Sequence, residues 1–225
     1  LIGLVGSEMC IRDRVYMFTW EKLRQYLLDD EANEASGNDF GHDLIPAMHE
    51  AHERLFAFPF DGYWKDVGTI DSLWEANLDL LNPNVDLDLS DPDWKIYSRN
   101  PVAPPHYVSP DATVQNSLIS EGGLIEGSVD FSVLFANVSI EKGAVVRDSI
   151  LMPGTVVKKG AVVQYAIVAE NAVIEENAVV GERPEDMENL SDWGVAVVGA
   201  NVCIGAGTRV APKAMVDEDL PEVTV

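Results

Sequence analysis

The chain has 225 residues, 47% of them hydrophobic and 24% charged, a globular composition with material for one or two domains and too apolar to be disordered throughout. Its 38 acidic against 15 basic residues give a formal charge of −23, which argues against nucleic acid or an anionic membrane as a partner, and no apolar run approaches the roughly 20 residues that span a bilayer. Only Cys10 and Cys203 occur, so there is no disulfide framework and a cytoplasmic location is expected, with Cys203 read as a small buried side chain.

Residues 1–14, which include Val5-Gly6-Ser7-Glu8-Met9-Cys10-Ile11-Arg12-Asp13-Arg14, have no clear period and resemble translated sequencing-adaptor sequence. They are set aside as a non-native leader, the alternative being an ordinary strand and loop. Residues 15–82 read as mixed α/β, with too few elements for a complete domain of that class. Val15 to Phe18 predicts a strand, Thr19 an N-cap, and Leu23 with Leu27 one face of a helix ending near Asp30. After a polar loop over 31–38, a second helix is expected to start around Leu44 to Pro46, because proline is tolerated in a first turn, with Met48 and Ala51 on its apolar face. Arg54 to Phe60 alternates as a strand does, and Tyr63 to Val67 reads as another. Gly68 breaks it, and Thr69 then caps a helix running through Leu73, Leu78 and Leu81. His42, His49 and His52 lie on or beside the second helix; such spacing usually marks a helix face, and a metal site would need a further ligand in matching geometry.

Residues 83–105 form a linker, acidic first and then interrupted by Pro101, Pro104 and Pro105, which exclude a continuing helix or central strand. Residues 106–225 form the repeat domain, which is repetitive from Val108 onward. Val129-Asp130-Phe131-Ser132-Val133, Val146-Arg147-Asp148-Ser149-Ile150 and Val163-Gln164-Tyr165-Ala166-Ile167 start 17 residues apart, with a small residue always fourth. Aliphatic leaders follow at Leu134, Ile140, Leu151, Val157, Val168 and Ile174, then at Val198, Ile204, Val210 and Val216. Steps of six, six and five residues fit three short flat strands per coil and do not fit a helix. The prediction is a triangular parallel β-helix with the leaders inside and with Ala144, Ala161, Ala172 and Ala178 allowing tight corners. Gly181 to Gly194 interrupts the repeat as a charged excursion, read as a solvated loop in preference to a regulatory site.

Asp39-Phe40-Gly41-His42-Asp43-Leu44-Ile45-Pro46, then Tyr63-Trp64-Lys65-Asp66-Val67-Gly68-Thr69, then the hexad array, in that order, resemble the C-terminal half of the bacterial ADP-glucose pyrophosphorylases, the glucose-1-phosphate adenylyltransferases of glycogen synthesis. The resemblance runs from about residue 15 to the end. It implies the C-terminal part of an α/β nucleotidyltransferase domain followed by a left-handed parallel β-helix. It also implies transfer of AMP from ATP to glucose 1-phosphate with release of pyrophosphate, dependence on Mg²⁺, allosteric control, and assembly as a homo-oligomer such as a tetramer or as a hetero-oligomer with a regulatory subunit. By the same resemblance Asp66 is one of two catalytic aspartates that hold the metal, while Tyr16, Phe40, Trp64 and Asp39 line the glucose 1-phosphate pocket. The residue types suit that chemistry: Mg²⁺ prefers carboxylate and phosphate oxygens, and aromatic faces pack on the apolar side of a sugar ring.

Apart from the resemblance, Asp66 reads more readily as a cap or as a partner near Lys65 than as a catalytic acid, and Trp64, Tyr16 and Phe40 are equally readable as core. The family's glycine-rich nucleotide loop, its first metal aspartate and its phosphate-binding lysine have no counterpart in these 225 residues. One aspartate cannot complete near-octahedral oxygen ligation, so the chain alone is expected to be inactive. A hexapeptide-repeat acyltransferase is the rival in another class, but its catalytic histidine would lie within the coils, and His106 precedes them. A non-catalytic regulatory subunit would be expected to lose the acid at 66, which this chain retains.

Overall fold

The computed structural model describes residues 15–98 and 101–223, so the proposed leader lies outside the described residues. The chain divides into two compact units, Leu1–Gly62 and Tyr63–Val225. Within the first, helix α1 spans Trp20–Glu31 with Thr19 at its N-cap, and its Lys22 and Tyr26 both reach the Glu53 carboxylate. A five-residue π-turn, Phe40–Leu44, runs directly into helix α2, Ile45–Glu50, with Pro46 in its first turn as expected. Helical structure therefore begins earlier than the proline predicts, because Asp39 supplies a cap: its Oδ1 accepts the N–H groups of Gly41 and His42, both at 2.8 Å. Leu44 and Met48 are buried, whereas Ala51 falls at the helix C-cap and is exposed.

Among the described residues, three predicted strands are absent. Val15 to Phe18, Arg54 to Phe60 and Tyr63 to Val67 are assigned to no strand ladder among the described residues, although Arg54 to Phe60 alternates as a strand does. Alternation provides a face to bury; a ladder also requires a neighbour for the backbone N–H and C=O groups. In consequence Phe56, Phe58 and Phe60 stand 83, 84 and 63% exposed.

The second unit is a three-sided solenoid of parallel strands, six to a side. One side stacks Tyr107–Val108, Leu124–Ile125, Ser139–Ile140, Val156–Val157, Val173–Ile174 and Cys203–Ile204. The second stacks Thr113–Gln115, Ser128–Asp130, Val145–Arg147, Val162–Gln164, Val179–Val180 and Arg209–Val210. The third stacks Leu118–Ile119, Val133–Leu134, Ile150–Leu151, Ala166–Val168, Ala196–Val198 and Met215–Val216. The 17-residue register holds through Val129, Val146 and Val163 and through Ile140, Val157 and Ile174. Of the predicted leaders, all but the half-buried Val216 are buried, and they form one continuous core. Each contributes about 1.5–3 kcal/mol of burial before entropy, and because coils touch only their neighbours, none is stable by itself. The first coil is two residues shorter, Val114 pairing with Val129. Its corner is closed by Gly127, where a Cβ would lie 2.5 Å from the carbonyl oxygen of Ala144.

Ala144, Ala161, Ala172 and Ala178 are fully buried, but they do not make the corners. The chain turns at the residue before each, Gly143, Gly160, Asn171 and Asn177, with φ of 79, 73, 56 and 58°. Glycine and asparagine accept that left-handed conformation most readily. At the corner leading into the third side the same role falls to Asn116, Phe131, Asp148 and Tyr165, at φ of 40–47°. The small residue that follows is not passive. Ser117, Ser132 and Ser149 form a ladder in which each hydroxyl donates to the carbonyl two residues back and accepts the N–H of its counterpart one coil on, ending at Ala166.

Helix α3, Ile70–Leu78, belongs to this unit and continues into a 3₁₀ turn over Asp79–Leu81. Its Leu73 and Trp74 pack with Phe135 and Met152 on the outward-facing Ile150, Ile167 and Val195 of the third side. The excursion lies between Val179–Val180 and Ala196–Val198 and lengthens its coil, so that Ala166 pairs with Ala196. No helix among the described residues is long and apolar enough to cross a membrane.

Candidate functional site

Tyr63 to Thr69 forms a braced turn. Tyr63 and Lys65 point toward helix α3 and its 3₁₀ extension: the tyrosine hydroxyl donates to Asp79 Oδ2 at 2.9 Å, and the ammonium meets Asp79 at 2.8 Å and Glu75 at 3.2 Å. Partial burial works against the Lys65 charge, but the bonds to Asp79 and Glu75 outweigh it and raise its pKa; Lys65 in turn holds the Asp79 carboxyl below its usual value. With alternate residues engaged in this way, Trp64 and Asp66 are left exposed, Trp64 at 49%. One Asp66 oxygen accepts the Gly68 N–H at 3.0 Å, and a Cβ at Gly68 would press on that oxygen at 3.2 Å. Thr69 and Ser72 then form a reciprocal capping box that starts α3. The acid thus sits on a tight turn fixed by the helix behind it.

In the first unit, Tyr16 and Phe40 stack with ring centroids 5.8 Å apart, and Phe18, two residues beyond Tyr16, meets both, at 5.9 Å from Tyr16 and 5.8 Å from Phe40. Phe18 was not singled out from sequence, although its i, i+2 relation to Tyr16 was a usable sign. Asp39 and Phe40 also line an open cleft of about 280 Å³ with Leu27, Asp30, Glu31, Asn38 and Leu44, close to the lower size limit for small-molecule pockets. Of the five residues expected at the site, Tyr16, Asp39 and Phe40 therefore lie together in one unit, while Trp64 and Asp66 share the turn in the other. Among the described residues no three His, Cys, Asp or Glu side chains converge as metal ligands, and this includes His42, His49 and His52.

Comparison with known proteins matches two stretches of the chain, the first of which crosses the boundary between the two compact units. Residues 9–83 match the nucleotidyl transferase family and residues 106–198 match the GlmU-like, C-terminal hexapeptide family. Glucose-1-phosphate adenylyltransferase of Bacillus thuringiensis (strain Al Hakam) is 51% identical over 143 residues, 64% of this chain and 38% of that protein. The enzyme of Desulforamulus reducens is 54% identical over 138 residues, covering 61% and 35%, and that of Geobacillus stearothermophilus 56% identical over 133 residues, covering 59% and 34%. The chain thus spans little more than a third of the length of these relatives. A nucleotidyl transferase match thus stands ahead of a hexapeptide match, and over the aligned stretch the chain is similar to the glucose-1-phosphate adenylyltransferases, sharing half of its residues with them.

Proposed function

We propose that this chain serves the transfer of AMP from ATP to glucose 1-phosphate, and that it does so as part of a longer nucleotidyltransferase. The reading is carried by the Asp66 turn: an exposed carboxylate on a braced loop beside Trp64, in a chain half identical to adenylyltransferases over most of its length. In the reaction a phosphate oxygen of glucose 1-phosphate forms a bond to the α-phosphorus of ATP, the bond from that phosphorus to the bridging oxygen breaks, and pyrophosphate leaves with the electron pair. Asp66 would hold Mg²⁺, which supplies charge neutralisation on the phosphates. In the first unit the stacked faces of Tyr16 and Phe40 would serve the sugar ring and Asp39 one of its hydroxyls; in the second, Trp64 would offer a ring face of the same kind. One carboxylate is too few for the metal, so the chain alone should release no pyrophosphate from ATP and glucose 1-phosphate above a blank; clear turnover would overturn this part of the reading. In a protein that carries this segment with its upstream nucleotidyl transferase sequence, Asp66→Asn should lower Mg²⁺-dependent turnover by at least about a hundredfold. Undiminished turnover would refute the role of Asp66. Retention of the acid favours a catalytic over a purely regulatory subunit. Assembly as a homo-oligomer in the cytoplasm, under allosteric control, completes the proposal.

A further inference from the structure

Tyr165 stands at a solenoid corner with φ +47°, and two tryptophans from distant parts of the chain meet its ring. Trp74, from helix α3, approaches with ring centroids 5.9 Å apart, and Trp193, at the end of the excursion, meets it edge-on at 5.4 Å. Both indoles are anchored by their N–H groups: Trp74 donates to the Asp148 carbonyl at 2.7 Å, and Trp193 donates to the Glu182 carbonyl at 2.9 Å, tying the end of the excursion to its beginning.

The excursion is itself held in shape. Arg183 clamps Asp186 through two bonds of 2.7 and 2.9 Å, Asn189 caps the 3₁₀ turn Leu190–Asp192, and Lys213 donates to the Ser191 carbonyl from a later coil. The excursion is largely exposed, as expected from its charge, and it carries these contacts as well. On the other side, Trp74 lies in the helix whose capping box adjoins Gly68, and Gly68 donates to Asp66. The series from Trp193 through Tyr165, Trp74 and the capped start of α3 to Asp66 is continuous, and each link is a packed ring, a rigid helix turn or a hydrogen bond. Coupling between sites is carried by such elements.

We propose that the excursion is a positioning device for Asp66, in which Trp193 holds Tyr165 against Trp74 and thereby sets the seat of α3 and the orientation of the Asp66 turn. The functional meaning rests on the reading of Asp66 as a metal ligand; the coupling itself does not.

The test uses the present chain, labelled with ¹⁵N, with the Gly68 and Ser72 amides and the Trp74 indole N–H as reporters. Trp193→Ala should displace the Gly68 and Ser72 resonances and speed exchange of the Trp74 indole proton by roughly 2- to 10-fold, the loss expected for one edge-on aromatic contact. Trp193→Phe, which keeps an aromatic edge, should restore both. Circular dichroism establishes that each variant is folded, and Trp193→Leu replaces the alanine variant should that one not fold. Unmoved Gly68 and Ser72 in a folded Trp193→Ala or Trp193→Leu protein would overturn the proposal. So would a phenylalanine variant that behaves like alanine. Displaced reporters combined with undiminished turnover of Asp66→Asn in the longer protein would uphold the coupling and remove only the metal reading.

Discussion

Ser149→Ala removes one buried oxygen from a corner of the solenoid and tests whether the serine ladder holds that corner. Ser149 is fully buried; its hydroxyl donates to the Arg147 carbonyl at 2.7 Å and accepts the Ala166 N–H at 3.2 Å. After the substitution the Arg147 carbonyl keeps the Tyr165 N–H at 3.2 Å. The Ser149 N–H keeps Ser132 Oγ. The uncompensated loss is the N–H of Ala166, a residue with no exposed surface. Leaving one buried donor unsatisfied costs about 1–3 kcal/mol, which for a chain of this size lowers the melting temperature by roughly 2–10 °C. Ser117→Ala is the matched control: it orphans the N–H of Ser132, a residue as buried as Ala166, but the vacated position is half-buried Ser117 at the start of the ladder, where water can enter and accept that N–H, so its cost should stay below about 1 kcal/mol. Urea unfolding followed by far-ultraviolet circular dichroism measures both, and exchange of the Ala166 amide localises the effect. If Ser149→Ala matched Ser117→Ala in midpoint and slope, and the Ala166 amide remained protected, the ladder would carry no stability and the argument would be wrong.

Two further expectations concern the same corner. Burial raises the Asp148 carboxyl above its usual value, Asp130 and Glu185 add to the effect, and Arg147 opposes it. The native state therefore binds this proton more tightly than the unfolded chain does, and its contribution to stability falls as pH climbs from the ordinary carboxylate value through the raised one, the whole penalty being present above it. Asp148→Asn, which also tolerates the φ of +47°, should unfold at a higher urea concentration than wild type at neutral pH and at the same concentration in acid; an identical offset at both would refute this. At Gly181, φ is +74° and a Cβ would fall 1.9 Å from the Gln164 carbonyl oxygen. Gly181→Ala should cost more than about 2 kcal/mol, since strain and a backbone clash act together, and a thermal melt unchanged from wild type would contradict it.

The solenoid was legible because its signal is local and repeated: a leader must be buried in every coil, so Ile140, Val157 and Ile174 declare one stack through their spacing. The capping of α3 was legible for a similar reason, since Thr69 and Ser72 lie three residues apart. Corners were harder to read. Gly143 and Asn171 advertise a left-handed turn, whereas Phe131 and Tyr165 adopt one only because the coils above and below fix the backbone around them. The strand predicted at Arg54 shows the opposite failure, in which alternation is present and the neighbour it would pair with is not among the described residues. At the candidate site, the motif around Asp66 marks the acid and says nothing of what orients it. That work falls to Trp74, Tyr165 and Trp193, separated by 91 and 28 residues in sequence, each of which read singly is an ordinary core aromatic. A motif can identify the atom that does chemistry because chemistry constrains residue type; the residues that place it are constrained only by shape, and shape is legible once the coils are stacked.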